Sequence, residues 1–189
     1  MSSFYSESEL KEIGFKKIGK NVLISKKASI YGANKISIGD NSRIDDFCII
    51  SGRVEIGKFV HIAAYTALYG GNIGIEIEDF CGISSRSALY AVSDDYSGKA
   101  LTNPTIPEKY KSIIEKKIIL KKHSLVGTNC TILPGVTLYE GVSVGANSLI
   151  NKDCDEWKIY IGVPAKIFKE RSKELLKLEE KFKNEFKID

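Results

Sequence analysis

Residues 120–155 read LKKHSLVGTNCTILPGVTLYEGVSVGANSLINKDCD, and an aliphatic residue recurs in this stretch at every sixth position. These aliphatic residues are Leu120, Val126, Ile132, Leu138, Val144 and Ile150, and four places after each comes a small residue: Ser124, Cys130, Val136, Val142, Ser148 and Cys154. A period of six fits neither the 3.6-residue turn of a helix nor the alternation of a strand. It predicts a solenoid in which each hexad supplies one strand and one turn, and three hexads make one triangular coil.

The same period begins much earlier in the chain. Aliphatic residues follow it at Ile18, Ile24, Ile30 and Ile36, then at Ile38, Ile44, Ile50, Ile56, Ile62 and Leu68, and again at Ile77, Ile83 and Leu89. A two-residue slip falls at Ser37, and three extra residues bulge out around Gly70-Gly71-Asn72. Residues 94–117 break the period and contain two prolines. Long insertions of this kind are often functional, and in a solenoid this one would project from a corner and reach a neighbouring subunit.

Both ends of the chain predict helices that cap the solenoid. Residues 3–14 carry a capping-box pattern, with Ser6 as the cap, Glu9 three residues later and Gly14 at the stop. Residues 169–186 space their apolar side chains as a helix does, among Lys and Glu. We therefore divide the chain into an N-terminal capping helix (1–17), a parallel β-helix (18–165) with a loop at 94–117, and a C-terminal helix (166–189).

Composition limits the possible functions. The 189 residues suit one domain, and no apolar run approaches the roughly 20 residues needed to span a bilayer. The N-terminus lacks the plan of an export signal, so we expect a cytoplasmic protein without membrane insertion. The net charge of +4 comes without a basic stripe interleaved with aromatics, and we expect no nucleic acid partner. The four cysteines occupy the small inward position of a hexad, and no Cys-x-x-Cys pair occurs, so packing explains them better than metal binding.

Three segments carry a resemblance to a known family: 127–136 (GTNCTILPGV), 145–150 (GANSLI) and 162–166 (GVPAK). With them the chain resembles the hexapeptide-repeat acyltransferases, whose fold is a left-handed parallel β-helix. The segments 4–33, 61–65 and 93–98 are similar to acyltransferases of dTDP-4-amino-4,6-dideoxyglucose in O-antigen synthesis. The handedness comes from the resemblance alone, because parallel crossovers are usually right-handed.

The resemblance implies an all-β homotrimer with acetyl-CoA and the acceptor sugar between adjacent prisms, and no metal. A base would take a proton from the attacking amine or hydroxyl while backbone N–H groups stabilise the oxyanion. We expect N-acetylation of a nucleotide-linked amino sugar for surface polysaccharide synthesis. A galactoside or maltose O-acetyltransferase and a non-catalytic solenoid scaffold are the alternatives. A γ-type carbonic anhydrase is disfavoured, because it needs three histidines and this chain has two.

The two histidines, His61 and His123, are the candidate bases. Galactoside-type relatives carry their histidine at the start of the mid-chain loop, where this chain has Asp94. Hexad counting places His61 at the end of a face and His123 in mid-strand on the same face two coils later, roughly 10 Å away along the axis. We favour His61, because the adjacent Ala64 and Tyr65 match the acceptor-contacting strand of galactoside-type enzymes, and either histidine is alternatively an exposed turn residue.

The resemblance also indicates binding residues. Asp94 would orient a histidine or face the sugar amine, or else serve as an ordinary turn residue, and we include Asp95 and Tyr96, whose ring would stack on the sugar or base. For coenzyme A the family pattern points to Gly127, Gly145 and Ala146 beside the pantetheine, with Lys166 and Arg171 at the phosphates. The glycines are alternatively explained by tight corners.

Overall fold

Three parallel sheets wind around one core in the computed structural model, which describes residues 3–188. Met1, Ser2 and Asp189, the outermost residues of the two predicted terminal segments, lie outside the described residues. The first sheet contains β1 Lys17–Ile18, β4 Ile36–Ile38, β7 Val54–Ile56, β10 Ile75–Ile77, β15 Ile118–Leu120 and β18 Thr137–Leu138. The second contains β2 Leu23–Ile24, β5 Arg43–Ile44, β8 His61–Ile62, β11 Gly82–Ile83, β16 Leu125–Val126, β19 Ser143–Val144, β21 Lys158–Gly162 and β22 Ala165–Glu170. The third contains β3 Ser29–Tyr31, β6 Ile49–Ser51, β9 Ala67–Tyr69, β12 Ala88–Tyr90, β17 Thr131–Ile132 and β20 Leu149–Ile150.

The six-residue period produces this architecture because each coil places one hexad on each sheet. In the second sheet the parallel register runs from Ile24 through Ile44 and Ile62 to Ile83, and these side chains are at most 1% exposed. Neighbouring coils therefore stack aliphatic residue on aliphatic residue, and a continuous apolar prism forms. The predicted parallel β-helix is confirmed.

The small hexad positions lie at the corners of the prism, as predicted. Ser124, Cys130, Val136, Val142, Ser148 and Cys154 are all at most 2% exposed. The four cysteines are free and buried, and burial raises the pKa of the Cys81 and Cys154 thiols to about 12. Their packing role is confirmed.

Both predicted slips are present. Ile36 and Ile38 are both buried in β4, after a short 3-10 turn at Ala33–Lys35 lengthens the first coil. The second slip is a turn between β9 and β10. There Gly71 has a φ of +56° and packs its backbone against Gly52, whose own φ is +79°. A Cβ at Gly52 would lie 2.5 Å from the Gly71 carbonyl oxygen, so the close approach requires glycine.

The N-terminal cap forms as the sequence predicts, with a helix shorter than residues 3–14. Helix α1 spans Glu7–Ile13, with a full capping box between Ser6 and Glu9 and Gly14 in the left-handed conformation. Leu10 is buried against the first coil. The segment before α1 adds backbone hydrogen bonds to the edge of the second sheet, because Tyr5 N–H donates to the Ile24 carbonyl at 3.0 Å. The cap therefore covers both the open core and the strand edge.

The mid-chain insertion is an ordered arm that begins slightly before the predicted residue 94. Strands β13 Val92–Asp94 and β14 Ile113–Glu115 pair antiparallel as its stem, and a 3-10 turn at Glu108–Tyr110 lies near its return. The arm leaves the prism after β12, at the corner between the third and first sheets.

The C-terminal prediction needs a correction. Residues 165–170 form β22, antiparallel to β21, and helix α2 begins only at Glu174 and ends at Phe186. The hexad count missed this hairpin because antiparallel strands at the end of the solenoid no longer follow a six-residue period. Helix α2 folds back onto the corner between the first and second sheets, where Phe182 contacts Phe59 and Phe80. Neither helix in residues 3–188 is long and apolar enough to cross a membrane.

Candidate active site

His61 lies on the outer face of the second sheet, paired with an acidic side chain from the preceding coil. Its side chain is 52% exposed, and Nε2 lies 2.8 Å from Oδ2 of Asp45. Oδ1 of the same carboxylate accepts a hydrogen bond from Nε of Arg43 at 2.6 Å. The carboxylate thus fixes the imidazole through Nε2, and Nδ1 is the ring nitrogen left for other chemistry.

The electrostatics of this pair favour an ionised Asp45. Burial alone would raise the pKa of Asp45, but the hydrogen bonds from His61 and Arg43 outweigh it, and the pKa lies below its usual value. An ionised carboxylate orients the imidazole and stabilises the imidazolium that forms when the ring accepts a proton. The His61–Asp45 pair is therefore able to act as a general base toward a group on the outer face of the second sheet.

The next coil places a glycine beside His61. Gly82 is its direct neighbour in β11, so no side chain of that residue covers the ring, and Ser84 follows at the end of the strand. Sequence reasoning missed Asp45. Hexad counting aligns Ile44 with Ile62, which would have placed the Asp45 carboxylate one coil from His61.

Ala64 and Tyr65 lie at the corner that follows β8. Tyr65 is 55% exposed, has a φ of +63° and stacks on Phe47 with ring centroids 5.0 Å apart. The predicted substrate-contacting pair thus sits on the same coil as His61, on the surface that joins the second and third sheets.

The other predicted substrate residues are in the arm, away from His61. Asp94 Oδ2 accepts the Asn103 N–H at 3.2 Å, and Asp95 forms a local turn in which Oδ1 accepts the Ser97 N–H at 2.9 Å. Tyr96 is 92% exposed. Because the third sheet separates the arm from His61, one chain does not bring these two groups of residues together.

The prediction that His123 lies in mid-strand is wrong. It occupies the turn between β15 and β16 with a φ of +63°, and its side chain is 6% exposed. Its ring stacks on Phe80 with centroids 5.4 Å apart, and Nε2 lies 2.7 Å from Oε2 of Glu179 in α2. This contact gives His123 a structural partner and leaves His61 as the better candidate base. The sequence did not reveal this environment of His123, because the contact with α2 joins residues that are 56 positions apart in the chain.

The predicted coenzyme A glycines are held by coil packing. A Cβ at Gly127 would lie 2.7 Å from the Ala146 nitrogen, and one at Gly145 would lie 2.6 Å from a methyl group of Ile161. Tight corners therefore explain both glycines. The role of Gly127, Gly145 and Ala146 toward coenzyme A stays a prediction.

The two predicted phosphate contacts differ in their surroundings. Lys166 is exposed on β22. Arg171 is half-buried, and its Nη1 donates to the carbonyls of His123 at 2.8 Å, Gly141 at 2.9 Å and Val142 at 3.3 Å. Burial lowers the pKa of the Arg171 guanidinium below its usual value. Arg171 thus fastens the chain to the corner, and a phosphate contact would have to use its remaining nitrogens.

Residues 3–188 contain no group of three or more His, Cys, Asp or Glu side chains arranged to hold a metal ion.

Comparisons with known proteins agree with the geometry. Residues 35–70 match the family model described as bacterial transferase hexapeptide (six repeats). The chain is 43% identical over 184 residues to a dTDP-4-amino-4,6-dideoxy-D-glucose acyltransferase of Escherichia coli, covering 96% of this chain and 95% of that protein. It is 28% identical over 155 residues to a lipopolysaccharide biosynthesis O-acetyl transferase, WbbJ, of Escherichia coli, covering 80% of this chain and 76% of that one.

A solved structure is similar over almost the whole chain. AntD, an N-acyltransferase from Bacillus cereus crystallised with dTDP and 3-hydroxybutyryl-CoA, has 56% identity and a TM-score of 0.97, and the match covers 99% of this chain and all of AntD. Other AntD crystals carry the substitutions S84A, with dTDP-4-amino-4,6-dideoxyglucose and coenzyme A, and D94A, with dTDP and coenzyme A. This chain has Ser84 and Asp94 at those numbers.

The parallel three-sheet solenoid, the insertion and the terminal helices all match the predicted fold class, a left-handed parallel β-helix. Together with the identity to a curated acyltransferase over nearly the full chain, they establish that this protein belongs to the hexapeptide-repeat acyltransferase family.

Proposed function

We propose that this protein transfers an acyl group from coenzyme A to the 4-amino group of a dTDP-linked 4-amino-4,6-dideoxy sugar. The observation that carries the proposal is the similarity to AntD, an N-acyltransferase, at 56% identity over essentially the complete chain. The E. coli relative named for the same class of amino sugar supports it independently. The acyl group is acetyl or a slightly larger group, since AntD was crystallised with 3-hydroxybutyryl-CoA.

The proposed base is His61. An amine acceptor must lose a proton as its nitrogen bonds to the thioester carbon, and Nδ1 of His61 is the ring nitrogen not engaged by Asp45. Asp45 holds the ring and stabilises the resulting imidazolium. The thiol of coenzyme A leaves with a proton, which the imidazolium supplies.

A homotrimer completes the site in this proposal. His61 and Asp94 lie on different sides of one prism, so a neighbouring copy has to bring its arm to the second sheet of the first. The outer face of the third sheet supports self-association, because its half-buried outward residues are mostly apolar: Ile49, Ala67, Ala88, Thr131 and Leu149. In the trimer Asp94 would face the sugar amine as an anion, and Tyr96 would pack on the acceptor.

Coenzyme A is proposed to lie along the later coils. The lack of a side chain at Gly127 and Gly145 and the single methyl group of Ala146 would let the pantetheine approach the backbone, and exposed Lys166 provides a cation for phosphate. Because acyl-CoA and nucleotide sugars are both made in the cytoplasm, we propose that compartment, with surface polysaccharide such as O-antigen as the destination of the product.

A thiol-release assay tests the function. The purified protein is supplied with acetyl-CoA or 3-hydroxybutyryl-CoA and with dTDP-4-amino-4,6-dideoxyglucose, and dTDP-glucose, a galactoside and maltose serve as controls. We expect release only with the amino sugar. Release only with simple sugars would establish the O-acetyltransferase alternative. A protein that releases no thiol with any acceptor, and is not stabilised against heat by acetyl-CoA, would be a scaffold.

Substitution of the histidines tests the mechanism. His61→Ala should lower kcat/KM by about 10²- to 10⁴-fold, the usual range for a general base. Asp45→Asn should have a smaller effect in the same direction. His123→Gln is the matched control and should leave kcat near the wild-type value. Wild-type kcat/KM in His61→Ala would contradict the assigned base.

A further inference from the structure

Two corners of the prism carry ladders of non-glycine residues in the left-handed backbone conformation, with at most one such residue from each coil. The first corner ladder, between the first and second sheets, contains Asn21, Asn41, Phe59, Phe80, His123 and Trp157. The second corner ladder, between the second and third sheets, contains Phe47, Tyr65, Arg86, Asn129 and Asn147. Asparagine adopts this conformation readily, whereas bulky side chains are strained in it. The residues other than asparagine therefore need a reason.

The first corner ladder has one. Phe59 and Phe80 stack on each other at 5.0 Å, and the Phe182 ring of α2 packs edge-on against both. These large side chains give α2 an apolar surface, and the burial offsets the backbone strain.

The second corner ladder has no such cover. Phe47 and Tyr65 stack at 5.0 Å with an interplanar angle of 24°, yet they remain 47% and 55% exposed. Within residues 3–188 no third ring contacts this stack, and the nearest cation is Lys27, 5.4 Å from the Phe47 centroid. Two aromatic residues with a strained backbone thus have rings that are about half exposed to solvent.

The next coil adds a cation without a partner. Of the four arginines, Arg43 and Arg53 pair with carboxylates and Arg171 bonds three backbone carbonyls. The exposed Arg86 guanidinium makes no hydrogen bond or ion pair to any residue from 3 to 188. At roughly 4.8 Å per coil, Arg86 lies about 5 Å beyond Tyr65 along the prism axis.

The row of aromatic, aromatic and guanidinium matches one class of ligand. Stacked rings bind a planar base, and a guanidinium binds phosphate oxygens in a bidentate way. In a nucleoside diphosphate, the separation of the base from the phosphates suits the separation of the aromatic pair from the Arg86 guanidinium along the ladder. The row also passes the end of β11, where Ser84 lies two residues before Arg86.

We propose that Phe47, Tyr65 and Arg86 form the nucleotide subsite, in which the base of a pyrimidine nucleoside diphosphate stacks on the aromatic pair and its phosphates pair with Arg86. The inference rests on the proposed function and adds the residues that hold the nucleotide half of the acceptor. On this proposal, the strained backbone at Phe47 and Tyr65 persists because it holds their rings in place for nucleotide binding.

Calorimetric titration with dTDP and with thymidine tests the subsite. The variants are Tyr65→Asn and Arg86→Asn, because asparagine already occupies this ladder at positions 129 and 147 and suits the left-handed backbone. Tyr139→Ala, which removes an exposed tyrosine elsewhere, is the control. Tyr65→Asn should weaken both ligands by about tenfold or more. Arg86→Asn should weaken dTDP by about tenfold and leave thymidine unchanged, and the control should change neither.

The remaining outcomes are decisive as well. Wild-type dTDP affinity in both ladder variants, or no binding of dTDP by the unaltered protein, would overturn the subsite. So would unchanged affinity together with a smaller oligomer by light scattering, because the ladder would then be a contact between copies. If dTDP binds through these residues but no amino sugar is acylated, the subsite stands and the proposed function fails. If both variants acylate the amino sugar with an unchanged KM for the nucleotide sugar, the proposed function stands and the subsite fails.

Discussion

Helix α2 is docked by one buried carboxylate, and removing its charge is the most informative test of the packing described above. Glu179 is 9% exposed, and its oxygens lie 2.7 Å from Lys122 Nζ, 3.1 Å from Lys183 Nζ and 2.7 Å from His123 Nε2. Burial alone would raise the pKa of Glu179, but the hydrogen bonds from Lys122, Lys183 and His123 outweigh it and lower the pKa from 4.5 to about 2.

This lowering of the Glu179 pKa sets the size of its contribution to the docking of α2. At about 1.36 kcal/mol per pKa unit it corresponds to about 3 kcal/mol between the docked and open states of the helix. We expect about 2 kcal/mol, because both lysines are about one-third exposed and solvent screens their charges. The folded-state pKa is the lower one, so this stability is complete above pH 4.5 and is lost as the pH falls toward 2.

Hydrogen exchange of the α2 amides, corrected for intrinsic rates, measures the effect. Glu179→Gln should speed exchange of the docked helix about thirtyfold at pH 7, the equivalent of about 2 kcal/mol. Between pH 5 and pH 3 the protection of wild-type α2 should fall while that of Glu179→Gln changes little. Glu174→Gln is the control, since Glu174 is 73% exposed and pairs only with Lys177 in its own helix. Equal exchange in wild type and Glu179→Gln, or equal acceleration in both variants, would refute the reasoning.

Three further predictions concern packing. Arg171→Ala should lower the free energy of unfolding by about 2 kcal/mol in urea titration, because three buried carbonyls lose a charged donor; a loss below about 0.5 kcal/mol would contradict this. Gly141→Ala should lower the Tm by several degrees, because φ at Gly141 is +68° and a Cβ there would lie 2.5 Å from the Trp157 ring. Gly98→Ala is the control: φ is similarly positive but no atom lies near the added Cβ, so its Tm should fall much less. The four cysteines should react with a disulfide reagent only after unfolding, because burial raises the pKa of every thiol; rapid labelling of the native protein would contradict their packing role.

The solenoid was predictable because its information is local and repeated. An inward aliphatic residue in every sixth position specifies the same strand and turn many times, and one misplaced hexad does not change the conclusion. The same holds for the capping box at Ser6 and Glu9 and for the small corner residues, whose constraints act within a few residues of the chain.

The candidate site was only half predictable. His61 stood out as one of two histidines, but its partner Asp45 lies 16 residues away, and the pair exists because coils stack in register. The stacking of Phe47 on Tyr65 carried no signal in the sequence, since the exposed Tyr65 and the half-buried Phe80 occupy equivalent positions of their hexads.

The sequence alone thus determined the periodic prism, its corners, its caps and the family resemblance. The tertiary structure decided which side chains meet across coils and at the corners. It put His123 under α2, turned residues 165–170 into a strand, and separated His61 from the arm by a whole sheet. The physical reason is that a hexad pattern records which way a side chain points, whereas the folding back of α2 and the exposure of a ladder depend on contacts between distant segments that no local pattern encodes.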